Sequence, residues 1–150
     1  MITYSDNSAA NALVGNVNDE ILNQIYSNFN INIPTTDQPE NFMTILDYSS
    51  FFRTLYNSSY LNHDMSELAL KILTKSTFKN GIAGGLPKDI IVAHKFGERI
   101  IDKKSQLHDC GIVYIPRKNY LICVMTRGDD FSNMELTIQK ISAEVYKAYK

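Results

Sequence analysis

Three short stretches of this 150-residue chain place side chains where they could do chemistry. The first is Ser5-Asp6-Asn7, preceded by Tyr4 and followed at once by the small, helix-forming run Ser8-Ala9-Ala10-Asn11-Ala12-Leu13. A hydroxyl and an amide on a rigid turn can relay a proton and orient a substrate, and small residues behind the turn allow the close packing that keeps it rigid. The second is Lys95-Phe96-Gly97, at the end of an apolar run over 90–95. A lysine there can pair with a substrate carboxylate, and the glycine lets a ligand's backbone lie along the strand edge. Singly, each pattern also has an ordinary structural explanation: a polar turn, or a solvated strand-end lysine beside a turn glycine. The third is Ser76-Thr77-Phe78-Lys79, a formal Ser-x-x-Lys. Nucleophilic chemistry needs that lysine one helical turn after the serine, where its amine can take the hydroxyl proton. Here the pattern trails a helix and runs into Asn80-Gly81 and Gly84-Gly85-Leu86-Pro87, which stop helices. Ser76 and Lys79 therefore read as loop residues.

These groups need elements to hold them. Thr44 with Asp47, Asp64 with Glu67 and Ser132 with Glu135 each put a capping side chain three residues before an acid, which predicts three helix starts. Behind them, Ile45, Tyr48, Phe52 and Leu55 share one face; so do Met65, Leu68 and Ile72, and so do Met134, Ile138, Ile141, Val145 and Ala148. Shorter helices are predicted over 8–14 and 19–29. The strands come late, over 90–95, 111–115 and 120–126, all rich in β-branched and aromatic residues. Pro116-Arg117-Lys118-Asn119 joins the last two as an antiparallel hairpin. That hairpin is apolar on both faces, so it needs cover on both: the 132–150 helix on one side, earlier helices on the other. The expected fold is α+β, an antiparallel sheet packed between helices. A small sheet buried on both faces suggests part of a larger one, the first sign of missing sequence.

Composition narrows the function classes. The chain is 44% apolar and 21% charged with a formal charge of −1, which is ordinary for a soluble globular protein. Its length suits a single domain over 1–150. The near-neutral charge gives no electrostatic case for nucleic acid or an anionic membrane. No apolar run reaches membrane-spanning length, and the start lacks the basic flank and apolar stretch of a secretory signal. His63, His94 and His108 are scattered without ligand spacing, so neither metal nor cofactor is expected. His94 reads as a polar edge residue, and Arg127 as resting near the site or capping its strand. Cys110 and Cys123 read as buried free thiols, a bridge between them being allowed but not indicated.

Together the motifs resemble the serine β-lactamases and penicillin-binding proteins, whose class A members carry Ser-x-x-Lys, Ser-Asp-Asn and Lys-Thr-Gly. The match extends to "YSDNSAAN", to "AGGLPKDIIVAHKFG", and to "LHDCGIVYIPRKNYLICVMTRG" before a long terminal helix, in the family's order. It covers nearly the whole chain but only the later part of the family's domain. The resemblance implies a β-lactamase/transpeptidase-like fold, incomplete here, lacking the N-terminal strands and the Ser-x-x-Lys helix with its nucleophile. It implies acyl transfer to an active-site serine and hydrolysis of a β-lactam or D-Ala-D-Ala-type amide. Ser5 would shuttle the proton near the leaving nitrogen. Asn7 would bond the substrate's side-chain amide, and Asp6 would brace the turn. Lys95 would bind the substrate carboxylate and keep the Ser5 region positive. Gly97 would line the substrate edge, and the Glu98 backbone N–H would serve as an oxyanion donor. The implied partners are a β-lactam or a peptidoglycan-type peptide, and the implied location is outside the cytoplasm.

Two departures stand out. Phe96 occupies the place of the family's Thr or Ser, removing a hydroxyl that would hold the carboxylate. The family's Glu-x-x-Leu-Asn loop, whose Glu activates the deacylating water, has no clear counterpart in "IPTTDQPENFMT", where Glu40 is followed by Met43 and Thr44. These departures favour an alternative, a β-lactamase-like domain kept for binding or scaffolding after its chemistry was lost. A chain folding alone would also have an open sheet edge to protect, which implies a homo-oligomer or a complementing N-terminal fragment.

Overall fold

A computed structural model describes residues 1–31, 43–101 and 103–150. Five α-helices, a short 3-10 turn and three strands make up the described chain. Helix α1 (Asn7–Val14) is capped by Asp6, whose carboxylate accepts from the Ala9 N–H at 2.8 Å. Helix α2 (Asp19–Asn28) is capped by Asn18. Helix α3 (Ile45–Tyr56) starts at the expected capping box, with Thr44 and Asp47 bonding each other's backbone N–H.

The other two predicted starts move. Helix α4 (His63–Leu73) is capped by Asn62, which accepts from Met65 N–H, and Asp64 falls in the first turn. There its charge faces the partial positive charge of the helix N-terminus. Helix α5 (Phe131–Tyr149) is capped by Asp130, which accepts from Ser132 and Asn133. Both true caps have extended backbone, which turns the side-chain oxygen onto the N–H groups of the first turn; a residue already inside that turn has helical backbone and cannot reach them.

Strands β1 (Ile91–Ile101), β2 (Lys104–Tyr114) and β3 (Tyr120–Gly128) form one antiparallel sheet in the order β1-β2-β3. The first two run well beyond their predicted lengths. Their distal halves, Phe96–Ile101 and Lys104–Cys110, are too polar to read as strand, yet they pair residue for residue from Lys95↔Cys110 to Ile101↔Lys104. Lys103 turns the hairpin at φ 62°. Outer edges of β1 and β3 carry no further strand among the described residues.

The sheet is covered on both sides, as its two apolar faces require. One side meets α5 and the 3-10 turn Ile82–Gly85, with Ile82, Leu107, Val113, Ile122, Met134 and Ile138 at its centre. The other meets α3 and α4 through Phe52, Leu70, Leu73, Ala93, Cys110 and Ile112. Cys110 and Cys123 face each other in the β2–β3 ladder, Cα atoms 4.0 Å apart, and their sulfurs are joined. The expectation of free thiols is thereby corrected, because the register puts the two residues directly opposite on one face.

Candidate functional site

Strand alternation decides which side chains meet. From Ala93 onward, Lys95, Gly97 and Arg99 share the α3 side of β1, while His94 and Phe96 share the α5 side. On the α3 side the opening segment closes over the strand. Thr77 donates both its N–H and its hydroxyl to the Thr3 carbonyl, at 3.0 and 3.1 Å. This ties the start of the chain to the loop after α4. Ser5 follows at φ 52°, a left-handed backbone conformation that costs a non-glycine residue about 1–3 kcal/mol and is held only where the surroundings demand it. Asp6 then caps α1, and Asn7 begins it, exposed.

Ser5 and Lys95 meet. Lys95 Nζ donates to Ser5 Oγ at 2.7 Å, across 90 residues of chain. The same ammonium donates to the Phe96 carbonyl and lies 4.7 Å from the Phe96 ring centroid. Burial pulls the lysine below its ordinary titration range, and the negative charge of Asp109 partly offsets this. Lys95 is held from below as well: the Tyr48 hydroxyl donates to its backbone carbonyl at 3.0 Å. Burial, and secondarily Asp109, push that phenol above its ordinary range. His108 packs edge-on to Tyr48, and its ring fills the space where Gly97 has no Cβ. Burial first, then the positive charges of Lys95 and Arg99, depress His108, with Asp109 opposing.

Gly97 and Glu98 continue β1, paired with His108 and Leu107. Ser76 lies in irregular backbone after α4 and opens no helix, as its flanking glycines indicate. It is 2% exposed, and its hydroxyl has no partner among the described residues. Glu40 lies outside the described residues. Arg127, next to last in β3, lies opposite Gln106, itself bonded to Arg99, and these three line a cavity of about 480 Å³ with Met43, Tyr48 and His108. No cluster of three or more His, Cys, Asp or Glu among the described residues could hold a metal.

Two features escaped the sequence reading. His94 is a core residue, 1% exposed, its Nδ1 2.9 Å from Asp109 Oδ1. This overturns its reading as an edge residue: on the α5 side of β1 it points into the sheet's covered face. Phe96 stacks on Phe78 with ring centroids 4.0 Å apart, so the Phe in place of a hydroxyl belongs to an aromatic pair. Both depend on the β1–β2 register, which sets Asp109 opposite Phe96 and diagonal to His94, and no local sequence signal states that register.

A family model described as the beta-lactamase enzyme family matches residues 1–149. Among solved structures, PBP-A aligns at TM-score 0.76 and 22% identity, over 99% of this chain and 58% of that one. A beta-lactamase from Sphaerobacter thermophilus aligns at TM-score 0.81 and 21% identity, over 97% of this chain and 59% of that one. A beta-lactamase from Streptosporangium roseum aligns at TM-score 0.75 and 20% identity, over 98% and 61%. At these identities the likeness establishes the fold, and the chain spans about three-fifths of each neighbour. No curated protein sequence matches significantly.

Proposed function

Because the chain belongs to the β-lactamase enzyme family, matched over residues 1–149, we propose that it forms the C-terminal portion of a penicillin-recognising serine hydrolase domain. The observation that carries this reading is the 2.7 Å contact between Lys95 Nζ and Ser5 Oγ. A hydroxyl held by a cation is polarised to pass a proton and to accept one, which is what a leaving amide nitrogen requires during acyl transfer. The strained backbone at Ser5 and the Asp6 cap support a turn held in one shape for that purpose.

In this reading the nucleophile is a Ser-x-x-Lys supplied from outside residues 1–150, and Ser76 takes no part. The serine gives its proton to the lysine of its own motif and attacks the carbonyl of a β-lactam or D-Ala-D-Ala-type amide, which breaks the C–N bond. Ser5 passes a proton to the departing nitrogen, and Lys95 keeps the local potential positive. Asn7 orients the substrate's amide, the edge of β1 at Gly97 receives its backbone, and the Glu98 N–H donates to the developing oxyanion. No cofactor enters. One neighbour, a PBP-A variant, is described as an acyl-enzyme complex with penicillin G, and a penicillin-type ligand is proposed here by extension. We propose that the domain works outside the cytoplasm, a location supported by the joined Cys110 and Cys123, which would persist there.

Labelled penicillin added to the full-length protein tests the reading. Expected is a covalent adduct whose rate of formation falls by about 10²- to 10⁴-fold in Lys95→Ala. No adduct, or one indifferent to Lys95, rejects it. A second reading, a domain kept for binding rather than turnover, is favoured by Phe96, whose ring stacks on Phe78 where the family carries a hydroxyl. Reversible binding without an adduct supports that alternative.

A further inference from the structure

Lys95 and Phe96 are successive residues of a strand, so their side chains leave β1 on opposite faces. The Lys95 ammonium nevertheless lies 4.7 Å from the centroid of the Phe96 ring. Two such side chains can meet only around the outer edge of β1, because β2 occupies the other edge. There the ammonium has two acceptors, Ser5 Oγ at 2.7 Å and the Phe96 carbonyl. An ammonium carries three N–H groups, so one is left for whatever binds beside it.

The neighbours at that edge are aromatic. Phe96 stacks on Phe78, with ring centroids 4.0 Å apart and planes 17° from parallel. Both residues are half-buried, so part of the pair stays accessible. Phe78 is held by the same tie that fixes the segment carrying Ser5: its neighbour Thr77 donates its N–H and its hydroxyl to the Thr3 carbonyl. The hydroxyl, the ammonium and the two rings therefore form one assembly. Burial, opposed by the charge of Asp109, holds Lys95 below its ordinary titration range, as a poorly hydrated ammonium should be.

A carboxylate brought to this ammonium gives up its water and needs several donors in return. It would find one N–H. The proton of Ser5 is committed to the leaving nitrogen in the reading given above, and Arg99 and Arg127 belong to the cavity past Gly97. The rings offer no donor to an anion, and their faces repel negative charge. An apolar, uncharged group loses nothing there and covers the accessible ring surface. We infer that Phe78 and Phe96 set the substrate class, selecting an amide or ester whose leaving group carries an apolar, uncharged substituent beside Lys95 in place of a carboxylate. This rests on the hydrolase reading, in which Ser5 serves the leaving group. Lys95 then acts on Ser5 alone, and Phe96 in the place of the family's hydroxyl marks a change of specificity.

The test compares two reagents with the same reacting amide, penicillin G and its methyl ester, on the full-length protein. The ester is expected to form its adduct about tenfold faster than the acid, the ratio that one missing charge-assisted hydrogen bond produces. Phe96→Thr supplies a hydroxyl and removes a ring, and is expected to bring the acid level with the ester or ahead of it. Phe78→Leu keeps an apolar side chain without the ring, and is expected to narrow the ratio part of the way. Taking the ratio within each protein cancels general damage from a substitution. An acid that reacts as fast as the ester in the parent protein overturns the inference, and so does a ratio unmoved in both variants. Should Phe96→Thr not fold, the parent ratio and Phe78→Leu decide. If neither reagent forms an adduct, the hydrolase reading fails separately, and equilibrium binding of the same two compounds decides. Tighter binding of the ester then supports selection by the ring pair; equal binding, tighter binding of the acid, or no binding overturns it.

Discussion

The two sides of the sheet are built differently. Among the described residues, the α5 side gathers eleven buried apolar residues into one cluster, and even its polar members, His94, Asp109 and Ser142, are fully enclosed and bonded to neighbours. Among the described residues the α3/α4 side has six, and that cluster gives out as β1 passes Ala93. Beyond that point come Lys95, Tyr48 and His108, half-buried and polar, with a cavity of about 480 Å³ past them. Stability is concentrated on one face, and the groups able to do chemistry stand where the other face thins. A cation can remain charged there because water is near, while the opposite face holds the strand that carries it.

Cutting into the thick side should show the asymmetry most strongly. Ile138, on α5, is 0% exposed at the middle of that cluster. Ile138→Ala removes three carbons from a packed interior and should cost about 2–5 kcal/mol in denaturant unfolding. A loss well under 1 kcal/mol would mean that this core is loosely filled and that the contrast between the faces is wrong. On the thin side, Tyr48→Phe removes only the hydroxyl that holds the Lys95 carbonyl. It should cost about 0.5–1.5 kcal/mol, the usual net worth of one hydrogen bond. A larger loss would show that the thin side bears as much of the fold as the thick one.

The legibility of these features in the sequence divides along the same line. The meeting of Ser5 with Lys95 was foreseeable, because both belong to local motifs whose residue types state their chemistry and whose order along the chain matches a known family. The capping box at Thr44 was legible for the same reason: everything it needs lies within four residues. What could not be read depends on register. Cys110 and Cys123 are joined only because the β2–β3 hairpin sets them opposite, and a slip of one residue would turn one of them to the other face. His94 and Asp109 find each other only because β1 runs past Lys95, and the polar residues Glu98, Arg99, Lys104 and Gln106 hide that strand from any composition rule. Their strand character comes from the partner across the ladder, not from intrinsic preference.

The smallest expected effect concerns acid. His108 lies on the thin side between Tyr48 and Gly97, depressed by burial and by the positive charges of Lys95 and Arg99. In the unfolded chain its imidazole takes up a proton near the ordinary value of 6.5, whereas in the folded protein it does so only at lower pH. Between those two points the unfolded state binds more protons, so stability rises with pH across the window. The contribution is complete above 6.5 and is lost as pH falls through the folded midpoint. His108→Gln, with no group to titrate there, should therefore show a shallower loss of stability on acidification below 6.5 than the parent protein. Denaturant midpoints taken at intervals down that limb read the difference directly, and the other titrating groups cancel between the two proteins. Parallel curves would mean that His108 already titrates as it does in water, and that the cleft around Lys95 is wetter and less positive than its geometry implies.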